Sequence, residues 1–459
     1  IFPYSWFSCE QKFKIKKLPE IEEFYDELNK VKCEISDYER ANLIWSDFNC
    51  KSFKHYHDLY LKTDVCLLAD IFENFRNIAF ENYGLDVVHF ITLPSYADSA
   101  LYKFYGGEIE LITDEDMLLM IESGIRGGVS TISGRYSQAN NFTLPTHQEA
   151  EMMRFTTGID VINYDEDEEK KWLLYIDANN LYGYGLSAKL PISDYQWEKT
   201  KKMTDDFIMS YSQENDRGYI LEVDLDYPKE IHDLHADYPL AVEKIKIDRY
   251  SKHVKSFIQN EPKPCEKLTG TLQDKKNYVV YIENLQFYMK HGLKLKKIHR
   301  VMSYHHEAWM EPYISFNTSQ RILAKNSFEK DFFKLMNNAV YGKTLQNRRK
   351  FEDMRVLLEE EDEEKLRKKI CRITNNPNYE GFKKVSDKML IFKSKKKKVK
   401  MIDPICCGFI VLEHAKMTMA KFHYDVFLPY YGKDKVKLLF TDTDSFCYEI
   451  QTEDVWEDL

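Results

Sequence analysis

The chain has 459 residues, too many for a single hydrophobic core, which predicts roughly two to four domains. Hydrophobic residues make up 43%, enough for globular folding, and no apolar run approaches membrane-spanning length, so we expect no membrane partner. A net charge of -10 argues against binding of nucleic acid over the whole surface, because contacts with phosphate need positive charge.

The charges are nevertheless segregated along the sequence. Acidic residues concentrate at 165–169 and 359–364, and basic residues at 290–300 and 393–400. In the last run six of eight residues are lysine, and we predict a basic β-ribbon there. A solvated strand and a nuclear localisation signal are the alternatives for that run.

Nine cysteines occur without a CxxC pair, which disfavours a zinc ribbon and indicates reduced, mostly buried thiols. Such thiols are typical of a nuclear or cytoplasmic protein. The first residue is Ile1, and no signal-like apolar segment follows it. We therefore expect the sequence to be an excerpt of a longer protein.

In chain order, residues 11–80 predict a helix-rich region, because apolar residues recur there at helical spacing. A glycine-rich turn at 124–128 precedes a polar stretch that ends near Thr157. The apolar run 172–176 predicts a buried strand with Asp177 at its tip.

Alternating polarity over 219–227 predicts a second strand, and residues 283–292 predict a helix. A long helical stretch with a basic, polar face is predicted at 318–349, and another helix at 412–430. Residues 435–450 predict a hairpin with the sequence Asp-Thr-Asp-Ser at its tip.

Three acidic residues are predicted to meet at strand ends. Asp177 ends one apolar strand, and Asp442 and Asp444 lie on the hairpin tip more than 260 residues later. Residues i and i+2 of an extended chain face one side, so Asp442 and Asp444 can reach a common region. Carboxylates in one cleft suit Mg²⁺, and two ions about 3.5–4 Å apart can serve phosphoryl transfer.

Between these acids, Lys330, Lys334, Asn338 and Tyr341 step by four, four and three residues, which places them on one helix face. Lysine charge on that face can meet a triphosphate, and Tyr341 can pack against a base pair. Phosphoryl transfer depends largely on such positioning and charge neutralisation.

Three segments resemble, in order, the sequence motifs of family B DNA polymerases. Asp177-Ala-Asn-Asn-Leu-Tyr182-Gly is similar to motif A, residues 334–342 to motif B, and Thr441-Asp-Thr-Asp-Ser445 to motif C. No metal ligand is lost where the chain departs from the motifs, at Asn180 for Ser, Gly183 for Pro, Ala339 for Ser and Phe440 for Tyr.

The resemblance implies two Mg²⁺ ions as cofactors, with Mn²⁺ as a substitute. Asp177 and Asp444 would be the principal metal ligands and Asp442 the supporting acid. The backbone carbonyl of Ala178 would be a further metal contact.

The resemblance also implies a DNA primer-template and dNTPs as partners. Tyr182 would lie under the sugar of the incoming nucleotide and exclude a 2′-hydroxyl group. Lys334 and Asn338 would hold the triphosphate, and Tyr341 would lie near the nascent base pair. Further positive charge would come from two residues, Lys330 and, more loosely, Arg321.

Over nearly the whole chain, the sequence is most similar to the protein-primed branch of this family, above all to polymerases of Polinton or Maverick transposons and related viruses. Arg126-Gly127-Gly128 resembles the template-contact element of that branch, with Ile125 in place of its Tyr. The branch implies a terminal protein whose hydroxyl group serves as the first primer.

Tyr60 and Asp64 resemble the third motif of the proofreading exonuclease. Residues 1–55 contain no Asp-x-Glu, which the first exonuclease motif requires. We therefore expect no functional 3′–5′ exonuclease in this chain.

The implied fold is an α/β multidomain protein, with a family B palm and fingers and the C-terminal part of a ribonuclease-H-like exonuclease domain. The predicted domains, with their residue ranges in parentheses, are an exonuclease remnant (1–115), a linker with the Arg-Gly-Gly element (116–157), a palm segment with motif A (158–195), an insertion resembling terminal-protein region 1 (196–311), the fingers (312–349), an insertion resembling terminal-protein region 2 (350–402) and a palm segment with motif C (403–459). The thumb is expected to be missing.

The sequence leaves alternatives open. The chain could be a non-catalytic DNA-binding remnant of such a polymerase, or a metal-dependent nuclease that uses Asp64. Taken singly, Asp177 could be a capping acid and the Asp-Thr-Asp sequence a solvated hairpin tip. Tyr182 and Tyr341 could be core aromatics.

Overall fold

The computed structural model describes residues 1–247, 252–257, 264–358, 362–386 and 388–459. Residues 359–361 of the second acidic run lie outside the described residues. The chain forms two compact units, Ile1–Ile91 and Thr92–Leu459. Within the described ranges, no helix combines the length and the apolar character needed to cross a membrane.

The first unit is helical, as its sequence predicts. Its helices are α1 (Ile35–Asp47) and α2 (Phe53–Tyr83), with 3₁₀ turns at Glu10–Lys14, Ile21–Phe24 and Val87–His89. Phe53 and Tyr56, at the start of α2, form a buried cluster with Leu18, Phe24 and Ala41. The remaining length of α2 passes through residues 61–70, all of them exposed.

The second unit combines helices with strands, which confirms the predicted α/β class at a coarse level. Its helices are α3 (Leu93–Tyr105), α4 (Glu115–Gly124), α5 (His147–Thr157), α6 (Leu181–Leu186), α7 (Asp205–Ser210), α8 (His232–His235), α9 (Lys252–Phe257), α10 (Ile282–Lys290), α11 (Glu311–Leu323), α12 (Ser327–Thr344), α13 (Glu363–Thr374), α14 (Ile405–Lys421), α15 (Leu428–Tyr431) and α16 (Val455–Asp458).

The strands of this unit are β1 (Ser130–Ile132), β2 (Lys171–Asp177), β3 (Leu190–Trp197), β4 (Arg217–Asp226), β5 (Glu243–Ile247), β6 (Cys265–Thr269), β7 (Lys275–Tyr281), β8 (Lys294–Glu307), β9 (Glu352–Leu358), β10 (Tyr379–Ser386), β11 (Met389–Lys395), β12 (Val436–Asp442) and β13 (Ser445–Gln451). Short 3₁₀ turns lie at Thr200–Lys202, Lys229–Ile231 and Arg348–Lys350.

The strands pair antiparallel in several sheets. One sheet, called the site sheet below, has the order β1-β12-β13-β2. A second sheet has the order β3-β8-β4-β7, a third has the order β10-β11-β9, and β5 pairs with β6. The predicted strand at 219–227, the helix at 283–292 and the hairpin at 435–450 correspond to β4, α10 and the β12–β13 pair.

The site sheet buries one face and leaves the other open. Phe446 and Tyr448 of β13 lie on the buried face, where the ring of Tyr448 stacks on Phe427 with centroids 4.6 Å apart. Leu173 and Tyr175 of β2 lie on the open face and are exposed by 44% and 59%. The strand predicted at 172–176 is therefore buried on one face only, and the prediction that it is wholly buried is wrong.

The predicted helical stretch 318–349 is broken into α11 and α12. The break falls at residues 324–326, because the Asn326 side chain accepts a hydrogen bond from the Glu329 backbone N–H at 2.9 Å and so caps α12. Glu329 in turn accepts a hydrogen bond from the Lys325 backbone N–H at 2.8 Å, which completes the start of the helix.

The predicted helix 412–430 is longer in the structure. It begins at Ile405, and a π-helical segment, Phe422–Phe427, joins α14 to α15. Nearly all of α14 is buried, so its sequence lacks the polar face that would mark where it starts.

Two compositional predictions are also corrected. All nine cysteines are free, but only three are buried, Cys50, Cys406 and Cys407, so the prediction of mostly buried thiols is wrong. In the basic run, residues 393–395 belong to β11, whereas residues 396–400 follow the strand. The predicted ribbon therefore covers only the start of that run.

Candidate active site

Cross-strand pairing brings the predicted carboxylates to one end of the site sheet. Asp177, the last residue of β2, lies opposite Ser445, and Ser445 lies opposite Asp442, the last residue of β12. Residues in one cross-strand row project to the same face, so Asp177 and Asp442 share a face. Asp444 lies in the tip between the strands, where its carbonyl accepts a hydrogen bond from the Ala178 N–H at 2.7 Å.

The Asp-Thr-Asp tip is a tight turn. Thr443 has a φ of 60°, and the Asp444 N–H donates to the Asp442 carbonyl at 2.7 Å, the hydrogen bond of a γ-turn. The expectation that an extended chain brings these two carboxylates to one side is therefore wrong. The turn itself places Asp444 next to the sheet end that carries Asp177 and Asp442.

The three carboxylates form an uncompensated negative cluster. Burial raises the pKa of Asp444, and the charges of Asp177 and then Asp442 raise it further. In the part of the chain that the structure describes, none of the three forms an ion pair with lysine or arginine. A bound cation would relieve this repulsion.

The three carboxylates do not by themselves make a complete metal site. Among the described residues, no three His, Cys, Asp or Glu side chains are gathered closely enough to hold a metal ion by themselves. Mg²⁺ usually takes one or two carboxylates and completes its shell with water and substrate phosphate oxygens. Asp177 and Asp444, with Asp442 next to them, therefore fit the carboxylate part of a Mg²⁺ shell.

Tyr182 and Tyr341 lie face to face beside the carboxylates. Their ring centroids are 4.1 Å apart, and the ring planes differ by 8°. Tyr182 belongs to α6, which begins directly after Asn180, a residue with a φ of 58°. Burial raises the pKa of Tyr182, and the negative charge of Asp444 adds to the rise, which places the phenol near that carboxylate.

Helix α12 presents the predicted polar face to solvent. Lys330, Lys334 and Asn338 are exposed, and Tyr341 is half-buried. Arg321 is exposed in the last turn of the preceding helix, α11. Within the described residues, Lys330 and Lys334 form no ion pair, so their charge is available to an anion.

The Arg-Gly-Gly segment lies beside the Asp-Thr-Asp turn, but its arginine points inward. Arg126 is 7% exposed, donates a hydrogen bond to the Val279 carbonyl at 2.9 Å, and lies over the ring of Tyr278 at 3.8 Å. This side chain therefore does not fit a contact with template. At Gly127 nothing lies within 4 Å of the position that a Cβ would take, so the space beside this residue is open.

Tyr60 and Asp64 lie together on α2 in the first unit. The Tyr60 hydroxyl is 2.8 Å from the Tyr4 hydroxyl. Burial and hydrogen bonds with Tyr4 and Asp64 raise the pKa of Tyr60. No cluster of carboxylates is assembled around Asp64 among the described residues.

Sequence reasoning does not identify one basic residue near the carboxylates, Lys421. A cavity of about 470 Å³ is lined by Asp177, Asp444, Thr418, Lys421 and Asp425, together with apolar residues of the site sheet and of the helix after Ile405. Thr418, Lys421 and Asp425 are spaced by three and four residues, which places them on one side of the helical segment that begins at Ile405. That spacing is the signal from which the sequence could have indicated them.

No protein-family model matches this chain, and no curated protein matches it. Solved structures of Phi29 DNA polymerase do. Its binary complex with primer-template DNA is 15% identical, with a TM-score of 0.43, and the match covers 80% of this chain and 50% of that one. Its ternary complex with incoming nucleotides is 14% identical, with a TM-score of 0.41 and the same coverage.

The orthorhombic crystal form of Phi29 DNA polymerase is 13% identical, with a TM-score of 0.43, and covers 99% of this chain and 59% of that one. The chain thus spans about half the length of the solved structures that it matches.

Proposed function

We propose that this chain is a DNA-directed DNA polymerase that transfers a deoxynucleoside monophosphate from a dNTP to a primer 3′-hydroxyl. The observation that carries the proposal is the assembly of Asp177, Asp442 and Asp444 at one end of the site sheet. Tyr182 and Tyr341 stack beside them. The order of these residues along the chain also resembles that of the three family B motifs.

In this proposal, Asp177 and Asp444 hold two Mg²⁺ ions, supported by Asp442 and by the carbonyl of Ala178; Mn²⁺ can substitute. When bound, the ions neutralise phosphate charge and lower the pKa of the primer hydroxyl. The pKa of Asp444 is raised by burial and then by the charges of Asp177 and Asp442, and this supports the role, because the cluster leaves negative charge to be compensated.

The remaining residues bind and select the nucleotide. Lys334 and Asn338, on the exposed face of α12, bind the triphosphate, and the charge of Lys330 draws it there, with Arg321 as a more distant contributor. Tyr341 supports the nascent base pair. Tyr182 lies under the sugar, where its ring leaves no room for a 2′-hydroxyl group.

The domain roles belong to the same proposal. Segments 158–195 and 403–459 form a palm, 312–349 the fingers, and residues 1–115 belong to an exonuclease domain that is not functional in this chain. Priming by a terminal protein, and replication of a transposon or virus, extend the proposal. They rest on the sequence resemblance alone.

Primer extension tests the proposal. With a labelled primer-template, dNTPs and Mg²⁺, the wild-type protein extends the primer, and Asp444→Ala lowers the rate on the order of 10³-fold. The matched control is Asp226→Ala, because Asp226 also ends a strand but pairs with Lys296 at 2.9 Å in a different sheet. Equal extension by wild-type protein and Asp444→Ala would refute the polymerase assignment.

The same assay separates the polymerase from a DNA-binding remnant. A remnant would bind the primer-template but would not extend it with any dNTP, with either Mg²⁺ or Mn²⁺. Binding measured alongside extension, by anisotropy of the labelled primer-template, distinguishes that outcome from a protein that does not bind DNA at all.

A further inference from the structure

The segment formed by residues 126–130, called the brace below, contacts the Asp-Thr-Asp turn directly. The Val129 carbonyl accepts a hydrogen bond from the Thr443 N–H at 2.7 Å. Ser130, the first residue of β1, pairs with Asp442 at the end of β12. The turn is therefore fixed by β13 on one side and by the brace on the other.

Thr443 is the residue of the turn that needs to be held. Its φ of 60° is the left-handed region, which a β-branched residue rarely adopts and which costs about 1–3 kcal/mol. Such a conformation persists only when its surroundings impose it. The hydrogen bond to Val129 is one constraint of this kind.

Gly128 supplies a second constraint, through its lack of a side chain. A Cβ at Gly128 would lie 2.4 Å from Thr443 Cγ2 and 2.8 Å from Thr443 Cβ. Rotation about χ1 moves Cγ2 but not Cβ, so a change of rotamer cannot remove the overlap. The φ of Gly128 is not positive, so this position requires glycine for space and not for backbone conformation.

Arg126 fixes the other end of the brace to the second sheet. Its guanidinium donates hydrogen bonds to the carbonyls of Gly124 at 3.3 Å and Val279 at 2.9 Å. Val279 belongs to β7, and the neighbouring Tyr278 ring lies 3.8 Å from the guanidinium carbon. A short, anchored segment thus connects the second sheet to the turn that carries two of the carboxylates.

We propose that the brace sets the position of Asp442 and Asp444 for metal binding, with Arg126 and Gly128 as positioning residues. This inference rests on the proposed function, and it gives the Arg-Gly-Gly segment a role that does not involve template. Because the segment contacts the turn at Thr443, which lies between the two acids, a small displacement of Thr443 moves both carboxylates relative to Asp177.

Mn²⁺ binding tests the inference without DNA or nucleotide. Free Mn²⁺ is measured by electron paramagnetic resonance in titrations of the full chain and of its variants. Gly128→Ala should weaken Mn²⁺ affinity about 10-fold or more, as removal of support behind metal ligands does. Gly127→Ala is the matched control, because nothing lies within 4 Å of a Cβ at that position, and its Mn²⁺ affinity should match wild type.

The decisive variant is Gly128→Ala combined with Thr443→Gly. Glycine at 443 removes the three atoms nearest to the new Cβ, which all belong to the Thr443 side chain, and it adopts a φ of 60° without strain. Mn²⁺ affinity should return to within about 3-fold of wild type, a non-additivity expected of residues in contact. Thr443→Gly alone completes the cycle and shows that removal of the threonine is tolerated.

The outcomes separate the two proposals. If wild-type protein extends primers and binds Mn²⁺ but Gly128→Ala binds it equally well, the brace is refuted and the polymerase stands. If wild-type protein binds no Mn²⁺ and extends no primer, the proposed function fails first. If Gly128→Ala does not fold, judged by near-ultraviolet circular dichroism, failure of the double variant to restore folding and Mn²⁺ binding refutes the brace.

Discussion

Asp444 is held at a raised pKa by burial and by the charges of Asp177 and Asp442. Because the folded pKa lies above the ordinary value of 3.8, ionised Asp444 opposes folding. This effect is present above the folded pKa and disappears as the pH falls below the ordinary value. We therefore expect Asp444→Asn to raise the Tm by about 1–2 °C at neutral pH, as removal of active-site charge often does.

Thermal unfolding at neutral pH and below about pH 4 checks this prediction. The gain should be present at neutral pH and absent in acid. Asp226→Asn is the control, because Asp226 has a cationic partner in Lys296 and its replacement should give no gain. Added Mn²⁺ should raise the Tm of wild-type protein and not that of Asp444→Asn. A lower Tm for Asp444→Asn at neutral pH would contradict the repulsion described above.

Helix α12 has a buried face and an exposed face that two neighbouring asparagines distinguish. Asn337 is 5% exposed, and its Oδ1 accepts a hydrogen bond from Asn317 Nδ2 at 2.7 Å. Asn337→Ala leaves a buried donor without this acceptor and should lower the free energy of unfolding by about 1–3 kcal/mol. Asn338 is exposed, and Asn338→Ala should change that free energy by less than about 0.5 kcal/mol.

Urea unfolding and dNTP kinetics together check this pair of variants. In the proposed polymerase, Asn338→Ala should raise the KM for dNTP, whereas Asn337→Ala should act mainly on stability. An Asn338→Ala variant that unfolds more easily than Asn337→Ala, with an unchanged KM, would mean that the two faces of α12 have been assigned the wrong way round.

Several elements of the site are predictable because their signals are local. The apolar run before Asp177 and the hairpin around Asp442 and Asp444 follow from short patterns of side chains, and the structure forms both. The break between α11 and α12 also has a local cause, the cap at Asn326. Asn326 can be recognised in the sequence as a capping residue. Because the apolar spacing continues on both sides of it, however, that spacing predicts one uninterrupted helix.

Other features of the site depend on contacts between distant residues and cannot be derived from local patterns. Strand β1 has three residues, and only its pairing with β12 defines it. The inward position of Arg126 depends on Val279 and Tyr278, far away in sequence. The left-handed Thr443 is unexpected because threonine disfavours that conformation. In each case a contact with residues distant in sequence overrides the conformation or position that the local sequence favours.

For the whole molecule, a net charge of -10 has to be reconciled with a proposed DNA partner. The described lysines of the basic run divide into two groups. Lys393 and Lys395 on β11 lie 3.7 Å from Glu380, and Lys393 also pairs with Glu352. The four lysines after the strand are exposed and form no ion pair within the described residues. Lys396 lies over the Phe351 ring, and the other three form the unpaired group: Lys397, Lys398 and Lys400.

A lysine that is paired with a carboxylate must first lose that ion pair before it can neutralise a phosphate and release counterions from DNA. A lysine without an acidic partner can do so directly. Substitution of the unpaired group, Lys397, Lys398 and Lys400, by glutamine should therefore weaken primer-template binding and reduce the slope of log K against log[salt]. The slope should fall by about 2–3, because each phosphate that a lysine no longer neutralises reduces it by about 0.7–0.9. Anisotropy of a labelled primer-template at several NaCl concentrations measures this slope.

The matched control replaces Lys393 and Lys395 by glutamine, which removes cations that Glu380 already neutralises in part. Its slope should stay close to that of wild type, and equal changes in both variants would show that the pairing of charges along this run does not govern DNA binding.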